Sequence, residues 1–249
     1  MENLRIIPIR LGIVTRTKSN FNLKDTHLKI DAPIIMWYIE GADKKIIVDT
    51  GGSDPNTELA QKYHAPYVRS EDEAPVRALA KLGVAPEEID IVINTHLHWD
   101  HCYGNEFFKK AKCIVQKKEF EFAVNPIPTQ DHAYEALTGG IIPPWMKITN
   151  WEVINGDEKL TDGVNLILTP GHTKGTQSVV VKTKKGPIII AGDTVVLFEN
   201  WKGRKSVPNG IHVDLQEYYE TFKKLESYEP VIILPGHDPK VFDQQVYPN

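Results

Sequence analysis

The sequence predicts an α/β protein in which two sheets face one another with helices outside. Three observations carry that expectation. Strand-like and helix-like runs interleave along the chain, and the order strands, helix, strand recurs in each half, which packs most simply as sheet on sheet with helices covering the outer faces. The 249 residues, 41% hydrophobic and 25% charged, also have the proportions of an ordinary globular chain with a substantial core. The same figures exclude a collagen-like, disordered or disulfide-stapled chain. With 29 basic against 33 acidic residues the net charge is −4, so no basic surface suggests a nucleic acid partner.

The elements follow in order. Ile34–Ile39 and Lys45–Asp49 read as two strands around the turn Gly41-Ala42-Asp43, a hairpin ended by Thr50-Gly51-Gly52. Residues 73–83 place Val76, Leu79, Ala80 and Leu82 on one helical stripe, with Gly83 as a stop. Pro86-Glu87-Glu88 is a short turn feeding the buried strand Ile89–Ile93. In the second half, Val164–Thr169, Ser178–Val181, Pro187–Ala191 and Val231–Leu234 are strands. Residues 214–226 fit an amphipathic helix capped by Asp214, with Leu215, Tyr218, Tyr219, Phe222 and Leu225 inward.

Residues 125–150 interrupt the pattern with four prolines, the Gly139-Gly140 pair and the apolar cluster Ile141, Ile142, Trp145 and Met146. The segment reads as a connector between halves or as a lid, and its apolar cluster suits a homodimer interface equally well. The longest apolar run, Ala32–Ile39, falls far short of the roughly 20 residues of a membrane span. The opening MENLRIIPIR lacks a signal-peptide pattern, and Cys102 and Cys113 make no disulfide framework. The expectation is a cytoplasmic protein without a membrane partner.

Nine histidines are present, and five stand in unusual places. His96, His98, Asp100 and His101 follow an apolar strand directly. His96 and His98, two apart, point the same way in extended backbone, while Asp100 and His101 come after the chain can turn. His172, Asp193 and His237 each follow a strand and a glycine, which lets the backbone turn sharply close to an ion. Imidazole and carboxylate suit zinc, and also iron, manganese or cobalt. Five histidines and two aspartates exceed one four-coordinate ion and match two ions that share a carboxylate and a water. Cys102 reads as a small buried residue, and His27, His64, His132 and His212 as solvated or structural.

The run His96-Leu97-His98-Trp99-Asp100-His101 resembles the HxHxDH signature of the metallo-β-lactamase superfamily. His172, Asp193 and His237 fall in the order that superfamily has, and Asp49-Thr50-Gly51 matches its early DTG element. The resemblance spans about residues 30–240 and implies a four-layer αβ/βα sandwich made as one domain over residues 1–249, with 125–150 an inserted lid or interface. It implies two divalent metal ions, zinc first. One would be bound by His96, His98 and His172, the other by Asp100, His101 and His237, with Asp193 bridging and Asp49 orienting a ligand histidine.

Within the superfamily the chain looks most like the N-acyl homoserine lactonase branch. Those lactonases usually carry a tyrosine three residues after the bridging aspartate; here that position is Val196. Tyr103, where glycine is frequent, is a candidate for the missing phenol. The implied function is a hydrolase that opens a lactone or related ester by attack of a metal-bridging hydroxide, with Asp100 shuttling the proton. Its partner would be a small-molecule substrate such as an acyl lactone. Trp37, Trp99, Trp145, Met146 and Phe198 are candidate walls of an apolar pocket. The alternatives are the same centre acting on a thioester, amide, imide or phosphodiester, or a non-catalytic metal-binding or di-iron redox protein. For the redox reading the chain leaves no residues for a flavin or rubredoxin-type domain.

Overall fold

A computed structural model of the chain describes residues 4–22, 24–64, 66–135 and 142–249. The first sheet is built from β1 (Arg5–Thr17), β2 (Lys29–Glu40), β3 (Ile46–Val48), β4 (Tyr67–Val68), β5 (Ile91–Ile93), β6 (Lys112–Gln116) and β7 (Trp151–Ile154), in the order β4-β1-β2-β3-β5-β6-β7. The second contains β8 (Glu158–Thr161), β9 (Val164–Leu168), β10 (Gln177–Thr183), β11 (Gly186–Gly192) and β12 (Ile232–Pro235), in the order β12-β11-β10-β9-β8.

Strand alternation sorts the apolar side chains into layers. On β2, Ile35, Trp37 and Ile39 face the second sheet, where they meet Val164, Leu166, Val179, Val181, Ile188, Ile190 and Leu234. Ile34, Met36 and Tyr38 face the other way, toward the short helices α1 (Glu58–Tyr63), α2 (Pro75–Ala80), α3 (Trp99–Cys102), α4 (Lys117–Val124) and α5 (Asp131–Tyr134). Ile167, Val180, Ile189 and Ile233 carry α6 (Leu215–Ser227) on the outer face of the second sheet. Helices, sheet, sheet and helix form the expected four-layer αβ/βα sandwich. No helix among the described residues is long and apolar enough to cross a membrane.

Asp214 caps α6 as expected, accepting from the Glu217 amide at 3.0 Å, and Tyr218, Phe222 and Leu225 are buried. Leu215 and Tyr219 are exposed instead of inward: the packed stripe is narrower than the apolar residues in the helix. The helix expected over 73–83 is shorter. A 3-10 turn at Glu71–Glu73 precedes α2, whose buried residues are Pro75, Ala78 and Leu79, leaving Leu82 exposed. Trp37 belongs to the core between sheets, Trp145 to the core under the helices, and Phe198 packs against the inter-sheet core; Met146 is exposed. None of these four is among the residues lining the cleft next to the histidines, which leaves Trp99 as the one expected pocket wall that is.

In the 125–150 segment, α5 and a 3-10 turn at Pro144–Lys147 are tied by the Trp145 indole, which donates to the Tyr134 carbonyl at 3.3 Å. Gly139, Gly140 and Ile141 lie outside the described residues.

β1 was not legible as a strand, because Pro8 and Gly12 interrupt its alternation. Its pairing with β2 shifts register between Arg10 and Gly12. Gly12 has φ +139, and a Cβ there would lie 2.8 Å from the Val68 carbonyl oxygen. A bulge of this kind moves the following side chains to the opposite face. Accordingly Ile9 and Leu11, then Val14, join the core under the helices.

Candidate metal centre

β9 and β11 both run antiparallel to β10, and β12 runs parallel to β11, so β9, β11 and β12 end at one edge of the second sheet. The residues just beyond those ends are His172, Asp193 and His237. In the first sheet β5 delivers His96, His98, Asp100 and His101. The two sheets meet at this edge through the Gln177 amide, which donates to the Thr95 carbonyl at 2.8 Å. Gly236 is required by close approach: a Cβ there would lie 2.6 Å from Asp193 Oδ1.

The seven expected donors converge. His96, His98 and His172 form one group whose candidate ligand atoms lie within 4.8 Å of one another, and Asp100, His101 and His237 form another. Asp193 stands between them: Oδ2 is 3.5 Å from His172 Nε2, while Oδ1 is 3.4 Å from His101 Nε2 and 3.1 Å from His237 Nε2. Asp100 approaches His101 and His237 at 3.8 Å each. All five histidines of the set are buried, as is Asp193.

Hydrogen bonds on the outer side decide which nitrogen four of the five rings turn inward, whereas His98 turns Nδ1 toward His172 and its buried Nε2 has no partner among the described residues. His172 Nδ1 is 2.7 Å from the Ile211 carbonyl, His237 Nδ1 is 2.9 Å from the Pro33 carbonyl, and His101 Nδ1 is 2.7 Å from Asp49 Oδ2. Each acceptor takes the Nδ1 proton and leaves the Nε2 lone pair facing the centre. The Thr95 hydroxyl donates to Asp49 Oδ2 at 2.8 Å and so accepts from His96 Nδ1, at 3.0 Å. Asp49, held at φ +58 and also accepting from the Thr95 amide at 2.7 Å, thus orients two rings.

This arrangement fits cations. Nitrogen lone pairs that face one another repel unless a positive charge lies between them. His172 Nε2 is 3.3 Å from His96 Nε2 and 3.2 Å from His98 Nδ1. Bonds of about 2.0–2.1 Å to a tetrahedral ion set its donors about 3.3 Å apart. His101 Nε2 and Asp193 Oδ1 are buried without a hydrogen-bond partner among the described residues, a costly state unless an ion takes them. Burial and neighbouring imidazoles hold His96 and His98 well below the ordinary histidine value, in the neutral form that ligates. Burial alone would push the Asp193 carboxyl up; His237 and His101 beside it bring it well below the usual carboxylate range.

Tyr103 is not brought to this place. Its hydroxyl donates to Glu135 Oε2 at 2.5 Å, its ring is buried, and it does not line the cleft. Burial and Glu135 push its phenol far up, so it is a neutral donor committed to that carboxylate. The other oxygen of Glu135 lies 2.7 Å from His64 Nε2, and the His64 ring stacks on Trp99 at 3.9 Å. The expectation failed because Tyr103 leaves α3 on the side facing α1 and α5. Val196, in contrast, does line the cleft. Cys102 is buried, its thiol 3.4 Å from the Leu97 carbonyl and outside the donor set.

Three cleft or support residues carried no signal in the sequence. Arg16 and His132 line the cleft. Glu119, fully buried on α4, accepts from the Leu97 amide at 2.9 Å, the Tyr134 hydroxyl at 2.7 Å, the Thr173 hydroxyl at 2.5 Å and the Gly175 amide at 3.2 Å. It therefore ties the loop carrying His96 and His98 to the loop carrying His172.

Comparison with known proteins agrees with this geometry. The chain is 29% identical over 248 residues to an N-acyl homoserine lactonase of a Bacillus species, covering 96% of this chain and 94% of that protein. It is 30% identical over 229 residues to the N-acyl homoserine lactonase AiiB of Agrobacterium fabrum, covering 86% and 82%. Its fold matches a solved N-acyl homoserine lactone hydrolase with N-hexanoyl-L-homoserine bound at the catalytic metal center, with TM-score 0.80, 24% identity, and 100% and 99% of the two chains covered. The sequence match to the metallo-beta-lactamase superfamily runs over residues 33–237, from the β2 strand to the last of the converged histidines, and the chain belongs to that superfamily.

Proposed function

We propose that the protein opens a lactone or related ester by metal-dependent hydrolysis, with His96, His98 and His172 holding one divalent ion, Asp100, His101 and His237 a second, and Asp193 shared between them. The observation that carries this reading is the set of inward-facing lone pairs, four of them, on His96, His101, His172 and His237, enforced by an acceptor on the outer side of the ring. When bound, such ions supply an ionised water near neutral pH and polarise the substrate carbonyl. Zinc suits imidazole and carboxylate donors without thiolate, and iron, manganese or cobalt accept the same set.

The chain's own residues do the rest. Asp100, the most exposed of the carboxylates in the set, is placed to hold the proton released by the nucleophile and pass it to the leaving alkoxide. Val14, Phe21, Trp99, Val196 and Ile211 supply the apolar part of the cleft wall. With Val196 at its position after Asp193, no phenol assists the carbonyl from there. The exposed Ile142 and Met146 offer a homodimer contact away from this chemistry.

The test is elemental analysis combined with a substrate panel of lactones, thioesters, β-lactams and phosphodiesters. About two equivalents of metal and lactone turnover that disappears on chelation and returns on reloading are expected. A chelated sample that hydrolyses lactones at the full rate refutes the mechanism, and a strong preference for another bond refutes the substrate.

A further inference from the structure

One cation in the cleft has no part in the chemistry above. Arg16 is the sole lysine or arginine among the described residues that line it. Its presence there follows from the Gly12 bulge: without the extra residue, position 16 would lie on the opposite face of β1 from Val14's present one, between the sheets. The side chain is anchored through its two terminal nitrogens. Nη1 donates to the Thr15 carbonyl and Nη2 to the His64 carbonyl, both at 3.0 Å. Nη1 also reaches the Pro66 carbonyl at 3.5 Å, and Nε, whose N–H belongs to the edge that takes a carboxylate bidentately, has no acceptor among the described residues.

None of these anchors is charged. Arg16 makes no salt bridge among the described residues, and the charge that acts on it is Asp100, against the cost of its own burial. Asp100 and Asp193 are the only carboxylates among the described residues that line the cleft, and both are assigned above to cations. A half-buried guanidinium with only neutral acceptors is costly unless an anion joins it. Held in a preset position, it also binds that anion with little loss of side-chain freedom.

We infer that Arg16 selects a substrate whose acyl part carries a carboxylate, so that the protein acts on an anionic lactone or ester. This inference rests on the hydrolytic reading above for the bond that is broken and adds the class of acyl group. Arg16 is a specificity residue: it holds the remote end of the substrate and takes no part in bond cleavage.

The experiment compares two lactones of equal acyl length, N-succinyl- and N-butanoyl-L-homoserine lactone, on the metal-loaded enzyme. The terminal carboxylate is the variable. A charge-assisted hydrogen bond is worth at least about tenfold, so the succinyl lactone is expected to have the larger kcat/KM by that factor, chiefly through KM. Arg16→Met brings the ratio of the two kcat/KM values to about one, and Arg16→Lys keeps part of the preference. Melting curves of both variants establish that they fold, and the lysine variant carries the comparison if the methionine variant does not.

A wild-type ratio near one, or a ratio unchanged in Arg16→Met, overturns the inference while leaving the hydrolase reading intact. If neither lactone is hydrolysed, the lactonase reading fails. Binding of the ring-opened N-succinyl- and N-butanoyl-L-homoserine, measured by calorimetry, then decides Arg16 by itself: equal affinities overturn it. Turnover of bis(p-nitrophenyl) phosphate above that of both lactones, dependent on Arg16, also overturns it, because the anion would then be the phosphodiester under attack.

Discussion

Replacing Glu119 by glutamine tests whether a buried carboxylate holds the two loops of the centre in register. Burial pushes the Glu119 carboxyl up, and hydrogen bonds from Thr173, Tyr134 and Leu97 oppose that shift. Glutamine keeps the shape and one acceptor oxygen, but its amide nitrogen faces groups that are donors in the native arrangement. Two hydrogen bonds to a charged acceptor are lost, about 1.5–3 kcal/mol each. Relief of the carboxylate's desolvation and a hydroxyl that turns to accept offset part of this, leaving a net loss of about 2–4 kcal/mol. For a chain of this length that lowers Tm by roughly 4–16 °C. Leu97 lies between His96 and His98, and Thr173 is next to His172, so metal affinity of that group of histidines should fall about 10- to 100-fold, the usual effect of losing a residue that orients ligands. Thermal unfolding of the metal-free protein and competition with a chromophoric chelator measure the two effects separately. A Tm within about 2 °C of wild type, together with unchanged affinity, would refute the reasoning.

Further outcomes follow from the same geometry. Tyr103→Phe should leave lactone turnover within about twofold while lowering stability by about 1–3 kcal/mol, the cost of a buried acceptor losing its donor; a hundredfold fall in kcat without loss of stability would restore the phenol to catalysis. Gly175→Ala should melt well below wild type, because its Cβ would lie 2.1 Å from the Glu119 backbone nitrogen; an unchanged Tm contradicts that packing. Burial alone would raise the Glu73 carboxyl, but the Ser70 amide and hydroxyl and Arg10 bring it below its ordinary value. A depressed folded value means that its contribution is present above the unfolded value of about 4.3 and lost as pH falls through the folded one. The Tm difference between wild type and Glu73→Gln should therefore be seen at pH 6–7 and shrink in acid (roughly below pH 4), and a difference independent of pH would count against the shift.

The sequence by itself determined the α/β class and the central strands, and it singled out the seven histidines and aspartates that the fold brings together. A continuous apolar run ending in His96-Leu97-His98-Trp99-Asp100-His101 is a local signal, as is a strand followed by glycine and then His172, Asp193 or His237. Local signals of that kind survive without knowledge of what packs against them. The Asp214 cap and the buried Tyr218, Phe222 and Leu225 were legible for the same reason, whereas Leu215 and Tyr219 were misread because the width of a buried stripe depends on the surface it meets.

Only the tertiary structure decided matters of direction and register. Whether Tyr103 points to the cleft or to Glu135 depends on where α5 sits, more than 30 residues away in the chain. Arg16 reaches the cleft because the bulge at Gly12 changes which face of β1 it occupies, and a period-two pattern broken by Pro8 and Gly12 hides that change. Glu119 looks like one more charge in a lysine-rich stretch, yet it is buried and accepts from two ligand-bearing loops. Side-chain type can be read in one dimension; the partner that completes a buried hydrogen bond, and the face a strand presents after a bulge, exist only once distant segments have been brought together.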